Sequence, residues 1–125
     1  MLFQRIKTPG VAHNAYLIGS KGIAVLIDPR RDVDEYLQIA RKNRLQIKYV
    51  LETHRQEDFV FGSDQIREIT RAEIVSGKHS YSAHSDIYLD DGETTSGWRF
   101  DISLPLYSGS YSRERILRLL YEGQT

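Results

Sequence analysis

The feature that most constrains the fold of this chain is a strand pattern, a helix pattern and a second strand pattern in direct succession. Residues 23–27 are a continuous apolar run, Ile-Ala-Val-Leu-Ile, which ends at Asp28. Such a run indicates a strand that is covered on both faces. Residues 33–40 then change to helical spacing, and residues 47–51 return to a strand pattern. This order predicts a βαβ unit and places the chain in the α/β class.

The helix of this unit has one apolar face. Val33, Tyr36, Leu37 and Ala40 lie at positions i, i+3, i+4 and i+7, which fall on the same side of an α-helix. Asp32 stands at the predicted cap, where its side chain can accept a hydrogen bond from the first turn. We therefore expect a helix that begins after Asp32 and packs its apolar face on the sheet.

A second, shorter helix is predicted after the βαβ unit. Ser63 is interpreted as its cap, because serine accepts hydrogen bonds from the free N–H groups of a first turn. Ile66 and Ile69 are expected on one face of this helix. The other short apolar segments that predict strands are residues 2–6, 15–18 and 73–75.

The last third of the chain is less regular. Residues 87–89 and 98–102 are interpreted as strands that flank a hairpin-like connection. The sequence between them at 90–93, Asp-Asp-Gly-Glu, contains residue types that favour tight turns. Residues 112–121 combine a capping residue with helix-forming composition, so that pattern alone predicts a helix there.

Composition excludes several classes of protein. Lysine plus arginine and aspartate plus glutamate balance at 17 each, which argues against nucleic-acid binding, because domains that bind nucleic acids carry a basic excess. The chain has no cysteine, so disulfides and thiolate metal sites are excluded.

The first residues lack the pattern of a signal peptide, and no apolar run reaches the length of a membrane span. We expect a single cytoplasmic domain, residues 1–125.

Residues able to carry chemistry follow both strands of the βαβ unit. Asp28 ends the first strand, and His54, Glu57 and Asp58 follow the second. Functional groups of open α/β sheets gather at the carboxyl ends of strands, so these side chains can form a metal or acid/base cluster. Without further evidence, a histidine followed by acidic residues is equally typical of a surface loop. Asp28 is equally well interpreted as a turn residue that accepts backbone hydrogen bonds.

Three blocks of sequence carry a family resemblance: residues 24–34 (AVLIDPRRDVD), residues 49–54 (YVLETH) and residues 58–63 (DFVFGS). Together they resemble the metallo-β-lactamase fold, and more narrowly its glyoxalase II-like and persulfide dioxygenase-like branch, which includes members fused to rhodanese domains. The order and spacing of the blocks agree, and the resemblance runs through essentially the whole chain. It implies one αβ half of an αββα sandwich, with a mixed sheet and flanking helices, truncated before the second half.

The resemblance also implies a set of metal ligands. The family motif His-x-His-x-Asp-His falls on His54, Gln56, Asp58 and Phe59, and a later family histidine falls on Tyr111. His54 and Asp58 are thus the residues that the resemblance assigns to a metal, which is zinc or iron if any is bound. Catalytic zinc sites have three protein ligands besides an open position. The remaining pair implies an eroded site, so no cofactor is expected.

Three hypotheses of function follow from this ligand set. The first is a non-catalytic scaffold or interaction module. The second is a metal-dependent hydrolase of the glyoxalase II-like kind, or a persulfide dioxygenase, that completes its site in a dimer or with a partner. The third is metal-free acid/base chemistry by Glu57, Asp58 and His54, with Asp58 as the candidate catalytic residue. The other histidines have no ligand-like spacing and are interpreted as surface residues: His13, His79 and His84.

One αβ half of a sandwich is expected to leave the inner face of its sheet uncovered. Large apolar patches are unusual on soluble monomers, so we expect a homodimer or a partner chain to cover this face. In the family, the segment after the later histidine is a strand. The resemblance therefore predicts a strand near residues 117–121, where composition alone predicts a helix.

Overall fold

The computed structural model describes residues 2–7, 14–30, 33–52, 62–77, 85–89, 94–95, 98–100 and 120–122. The elements in chain order are β1 (Leu2–Lys7), β2 (Asn14–Ser20), β3 (Ile23–Ile27), α1 (Asp34–Lys42), β4 (Gln46–Leu51), α2 (Ser63–Thr70), β5 (Glu73–Gly77), β6 (Ile87–Leu89), β7 (Thr94–Thr95), β8 (Trp98–Phe100) and β9 (Leu120–Glu122). None of the helices among these residues is long and apolar enough to cross a membrane.

Strands β1 to β6 form one mixed sheet in the order of the chain. The first three strands pair antiparallel, and β3, β4, β5 and β6 pair parallel. Helix α1 connects β3 to its parallel neighbour β4, so the predicted βαβ unit and the α/β class are confirmed. The carboxyl ends of β3, β4 and β5 consequently lie side by side at one edge of the sheet.

Helix α1 owes its position to the predicted apolar face. Val33, Tyr36 and Ala40 are buried, and Leu37 is partly buried against the same cluster. Acidic side chains occupy its first turn and basic side chains its last turn, which complements the helix dipole. The N-cap position belongs to Val33, which makes no side-chain cap hydrogen bond. The predicted cap residue, Asp32, lies one position earlier and outside the described residues.

Both helices pack on the same face of the sheet. The buried side chains of this face come from strands β1 to β5, the two helices and residues next to the helices, and Ile66 of α2 is fully buried among them. Ile69, which was expected on the same face as Ile66, is not buried with it: its side chain is 60% exposed. The stripe that α2 turns to the sheet passes through Ser63, Ile66 and Thr70, at i, i+3 and i+7. Ile69 lies beside this stripe, on the solvent side.

The opposite face of the sheet has its own apolar cluster. Its side chains are at most 1% exposed within the single chain: Tyr16, Ile18, Val25, Ile27, Tyr49, Leu51 and Val75. This is the face that was expected to stay uncovered without a partner. For these seven residues, the single chain buries it. The homodimer or partner chain stays a prediction, and it no longer follows from the need to cover these side chains.

Strands β7, β8 and β9 form a separate antiparallel sheet. The predicted hairpin between residues 87–89 and 98–102 was wrong, because β6 pairs with β5 in the large sheet and β8 pairs with β7 and β9. In the antiparallel pair of β7 and β8, Thr95 lies opposite Trp98. Strand β9 confirms strand structure at Leu120 and Tyr121, and residues 112–119 lie outside the described residues.

Candidate functional site

The candidate site lies where β3, β4 and β5 end. Asp28 follows β3, Glu52 follows β4, and Ser76 lies near the end of β5. All three residues are buried. Because these strands are parallel neighbours, polar residues that are far apart in sequence are brought to one edge. Asp28 was expected here from the sequence, whereas Glu52 and Ser76 were not.

Asp28 is a turn residue in this structure. Its backbone has a φ of 51°, in the left-handed region that aspartate tolerates better than most residues. Its N–H donates to the carbonyl oxygen of Leu51 at 3.0 Å, and the residue is only 2% exposed. This contact ties the end of β3 to the end of β4, so the interpretation of Asp28 as a turn residue is the one that the geometry supports.

Glu52 and Ser63 form a buried pair that sequence reasoning missed. The Ser63 hydroxyl donates to Oε2 of Glu52 at 2.8 Å, with Glu52 6% exposed and Ser63 fully buried. Ser63 was predicted to cap α2. It is instead the first helical residue, with Gly62 at the N-cap position, and its hydroxyl points to the sheet edge rather than to the helix backbone. The sequence around Ser63 does not indicate that Glu52 is its partner, because the pairing depends on tertiary structure.

Gly62 fits where no larger residue does. Its N–H donates to the carbonyl oxygen of Pro29 at 2.8 Å. A Cβ atom built on Gly62 would lie 2.2 Å from the carbonyl oxygen of Arg30 and 2.7 Å from Cγ1 of Val33. The carbonyl oxygen belongs to the backbone and cannot swing aside. The backbone at Gly62, where α2 begins, therefore lies in close contact with the turn that follows β3.

The residues of the family motif lie outside the described part of the chain, in residues 53–61. The same holds for the later position Tyr111. The assignment of His54 and Asp58 to a metal stays a prediction, as does Asp58 as a catalytic residue. The histidines interpreted as surface residues and the third acidic candidate also lie outside the described residues: His13, His79, His84 and Glu57.

The described residues contain no group of three histidine, cysteine, aspartate or glutamate side chains that could hold a metal ion such as zinc or iron. At this edge, the Glu52 carboxylate accepts the hydrogen bond from Ser63, and Asp28 is held by its backbone N–H. The motif itself supplies one imidazole, one carboxylate, the weak amide of Gln56 and the hydrocarbon ring of Phe59. Catalytic zinc and iron sites are usually built from three strong protein ligands.

Comparisons with known proteins agree with this architecture. The family model described as "Metallo-beta-lactamase superfamily" matches residues 8–123. A hydroxyacylglutathione hydrolase of Francisella tularensis subsp. novicida is 31% identical over 78 residues, which cover 62% of this chain and 31% of the relative. A UPF0173 protein of Pyrococcus abyssi is 34% identical over 70 residues, which cover 55% of this chain and 30% of the relative.

Solved structures give the same result. ETHE1 of Myxococcus xanthus superposes with a TM-score of 0.68 and 30% identity, over 74% of this chain and 42% of that one. A metallo-beta-lactamase of Staphylococcus aureus superposes with a TM-score of 0.69 and 23% identity, over 81% of this chain and 33% of that one. The second likeness shows the fold alone.

The chain spans about a third of the length of the curated relatives it matches and 42% of the ETHE1 structure. These similarities confirm the resemblance to the glyoxalase II-like and persulfide dioxygenase-like branch that the three sequence blocks indicate. They also fit the N-terminal half that the resemblance implies. Given the mixed sheet, the helices on one face and the match over residues 8–123, the chain belongs to the metallo-beta-lactamase superfamily.

Proposed function

We propose that this chain is a non-catalytic metallo-β-lactamase domain, a scaffold or interaction module whose metal site is eroded. The observation that carries the proposal is the donor set of the motif. Of four motif positions, His54 and Asp58 keep a strong ligand, whereas Gln56 and Phe59 do not. The fold around the motif is kept, so the replacements fall on a recognisable member of the superfamily.

The chemistry of metal catalysis explains why these replacements matter. A hydrolytic zinc site lowers the pKa of its bound water to about 7, and it does so with three protein ligands and one open position. A single imidazole and a single carboxylate bind a divalent ion weakly and leave several positions to bulk water. The bound water then keeps a pKa too high to supply hydroxide near neutral pH.

The described contacts at the sheet edge support a structural role for this region. Asp28 joins β3 to β4 through Leu51, and the Glu52 carboxylate accepts a hydrogen bond from Ser63. The Glu52 carboxylate is thus used by the fold, whereas Asp28 makes its contact through its backbone N–H, and both residues are buried.

The second candidate function is a metal-dependent hydrolase of the glyoxalase II-like kind, or a persulfide dioxygenase, whose site is completed in a dimer or by a partner chain. Two observations favour it over the remaining classes. The relatives include a hydroxyacylglutathione hydrolase and ETHE1, and the chain spans less than half of each. In this arrangement, ligands from a second chain complete a zinc or iron site around His54 and Asp58.

The test is an activity assay with the metal supplied. The purified chain is incubated with zinc or iron, and two reactions are followed: hydrolysis of a glutathione thioester, and oxygen uptake with glutathione persulfide. We expect both rates to equal the rate without protein, with a hydroxyacylglutathione hydrolase as the positive control.

Turnover in either reaction contradicts the proposal, and its properties identify the correct alternative. Activity that a chelator abolishes, with a rate that rises with the square of protein concentration, indicates a site completed by a second copy. Activity that survives the chelator and is lost in the Asp58→Asn variant indicates the acid/base chemistry of Glu57, Asp58 and His54.

A further inference from the structure

Hydrogen bonds converge on the two ends of the segment that carries the motif. At its start, the N–H of Glu52 donates to the carbonyl oxygen of Val75 at 3.1 Å, which ties the end of β4 to β5. At its end, the N–H of Gly62 donates to the carbonyl oxygen of Pro29 at 2.8 Å, which ties the start of α2 to the turn after β3. Each end is thus held by a different neighbour in the fold.

A side-chain bond joins these two ends directly. Ser63 and Glu52 are eleven positions apart in the chain, and the Ser63 hydroxyl donates to the Glu52 carboxylate at 2.8 Å. Hydrogen bonds to a carboxylate are about twice as strong as bonds between neutral groups. Burial strengthens them further, because water does not compete for either partner. This bond therefore fixes the distance between the point where the segment leaves the sheet and the point where it enters α2.

We propose that Glu52 and Ser63 form a clasp that positions Glu52 and Gly62, the two residues between which the motif lies in the sequence, independently of any bound metal. The two backbone bonds orient each end, and the clasp sets their separation. Gly62 makes the geometry possible, because only glycine allows the backbone to lie against Arg30 at this point. The proposal goes beyond the proposed function: the clasp acts whether or not the motif binds a metal or catalyses a reaction.

The test separates positioning from general stabilisation by measuring amide hydrogen exchange, residue by residue, in the folded chain. In the Ser63→Ala variant, we expect the amides of Glu52 and Gly62 to exchange about ten-fold faster than in the parent chain, because a hydrogen bond to a charged group is lost. The amides of β2 and β3 should change only as much as global stability changes.

The matched control is Ile66→Val, which removes one buried methyl group from the next turn of the same helix. This variant loses a comparable amount of global stability but keeps the clasp. We expect its exchange rates to rise uniformly across β3, Glu52 and Gly62. If Ser63→Ala gives the same uniform profile as Ile66→Val, the bond is one stabilising contact among many and the positioning role is overturned.

A double-mutant cycle gives a second, independent outcome. Glu52→Ala, Ser63→Ala and the double variant are compared by the exchange rate of the Gly62 amide. If the two side chains are partners in one clasp, removing either one already breaks the bond. The Gly62 amide of the double variant should then exchange no faster than that of the more strongly affected single variant. Rate increases that multiply in the double variant show that the two side chains act separately, which contradicts the proposal.

Discussion

At the scale of single residues, the sheet edge depends on positions that tolerate little change. Asp28 adopts a left-handed backbone conformation, and Gly62 lies in backbone contact with the turn after β3. For Asp28, the sequence offered a turn residue as one of two interpretations, and the geometry supports that one. Sequence reasoning did not identify the constraint on Gly62, because that constraint comes from a close approach between distant segments.

Substitution of two glycines tests this constraint. We expect Gly62→Ala to lower the free energy of unfolding by about 3 kcal/mol, because the new Cβ collides with a backbone oxygen. Gly22→Ala is the control: Gly22 has a φ of 79°, and a Cβ atom built there would have no neighbour within 4 Å, so only the conformational cost of about 1 kcal/mol applies. Urea denaturation measures both. Equal losses for the two variants would show that the Gly62 contact relaxes without cost.

Restoring the lost histidines tests the erosion of the motif at the same scale. We expect Gln56→His combined with Tyr111→His to raise zinc affinity by at least about ten-fold over the parent chain, because two imidazoles join His54 and Asp58. Isothermal titration with zinc measures the change, and Gln56→Asn with Tyr111→Phe serves as the control without new ligands. No gain in affinity would show that the backbone has lost the geometry of the site as well as its ligands.

At the scale of elements, Asp86 starts the pairing of β6 with β5. Its N–H donates to the carbonyl oxygen of Ile74 at 2.9 Å, and its carboxylate accepts from the N–H of Ile74 at 2.9 Å. The same carboxylate receives two bonds from the Arg67 guanidinium of α2, at 3.1 and 3.2 Å. The Asp86 side chain therefore connects the start of β6 both to β5 and to helix α2.

Substitutions at these two positions separate the contributions of the backbone bond and the ion pair. We expect Asp86→Ala to cost about 2 kcal/mol, because it leaves the part-buried N–H of Ile74 without this acceptor. Arg67→Ala should cost less than about 1 kcal/mol, because both partners of the ion pair are about a third exposed and screened by water. Asp86→Asn keeps an oxygen for Ile74 and should resemble Arg67→Ala. Thermal unfolding ranks the three variants, and a loss in Asp86→Asn as large as in Asp86→Ala would contradict this explanation.

The strength of local pattern decided which elements the sequence could predict. Uninterrupted runs and helical spacing identified β3, α1 and β4 with bounds close to those observed. The hairpin after residue 89 was wrong because good turn chemistry does not say which strands pair, and Asp86 commits β6 to the large sheet before that turn is reached. The Glu52–Ser63 pair was missed for a related reason: its partners lie in different elements.

At the scale of the whole molecule, both faces of the large sheet have buried apolar clusters. The helices cover one face, and the side chains at the centre of the other face are buried within the single chain as well. The prediction of a homodimer or a partner chain rested on an uncovered inner face. If a dimer forms, its contacts must involve other surfaces than these buried side chains.

Sedimentation velocity at dilute concentration tests the predicted association. The prediction is a homodimer that persists at low micromolar concentration, with a sedimentation coefficient that falls only on strong dilution. Circular dichroism under the same conditions shows whether the chain is folded. A folded monomer at every concentration would remove the homodimer and leave only a separate partner chain.

The central claim is that the metal site of this metallo-β-lactamase domain is eroded, and metal content tests it most directly. The chain is purified, incubated with equimolar zinc or iron, passed over a desalting column and analysed by elemental mass spectrometry. The account predicts well under one metal ion per chain after desalting, because His54 and Asp58 alone hold a divalent ion weakly. One tightly bound zinc or iron ion per chain would contradict it.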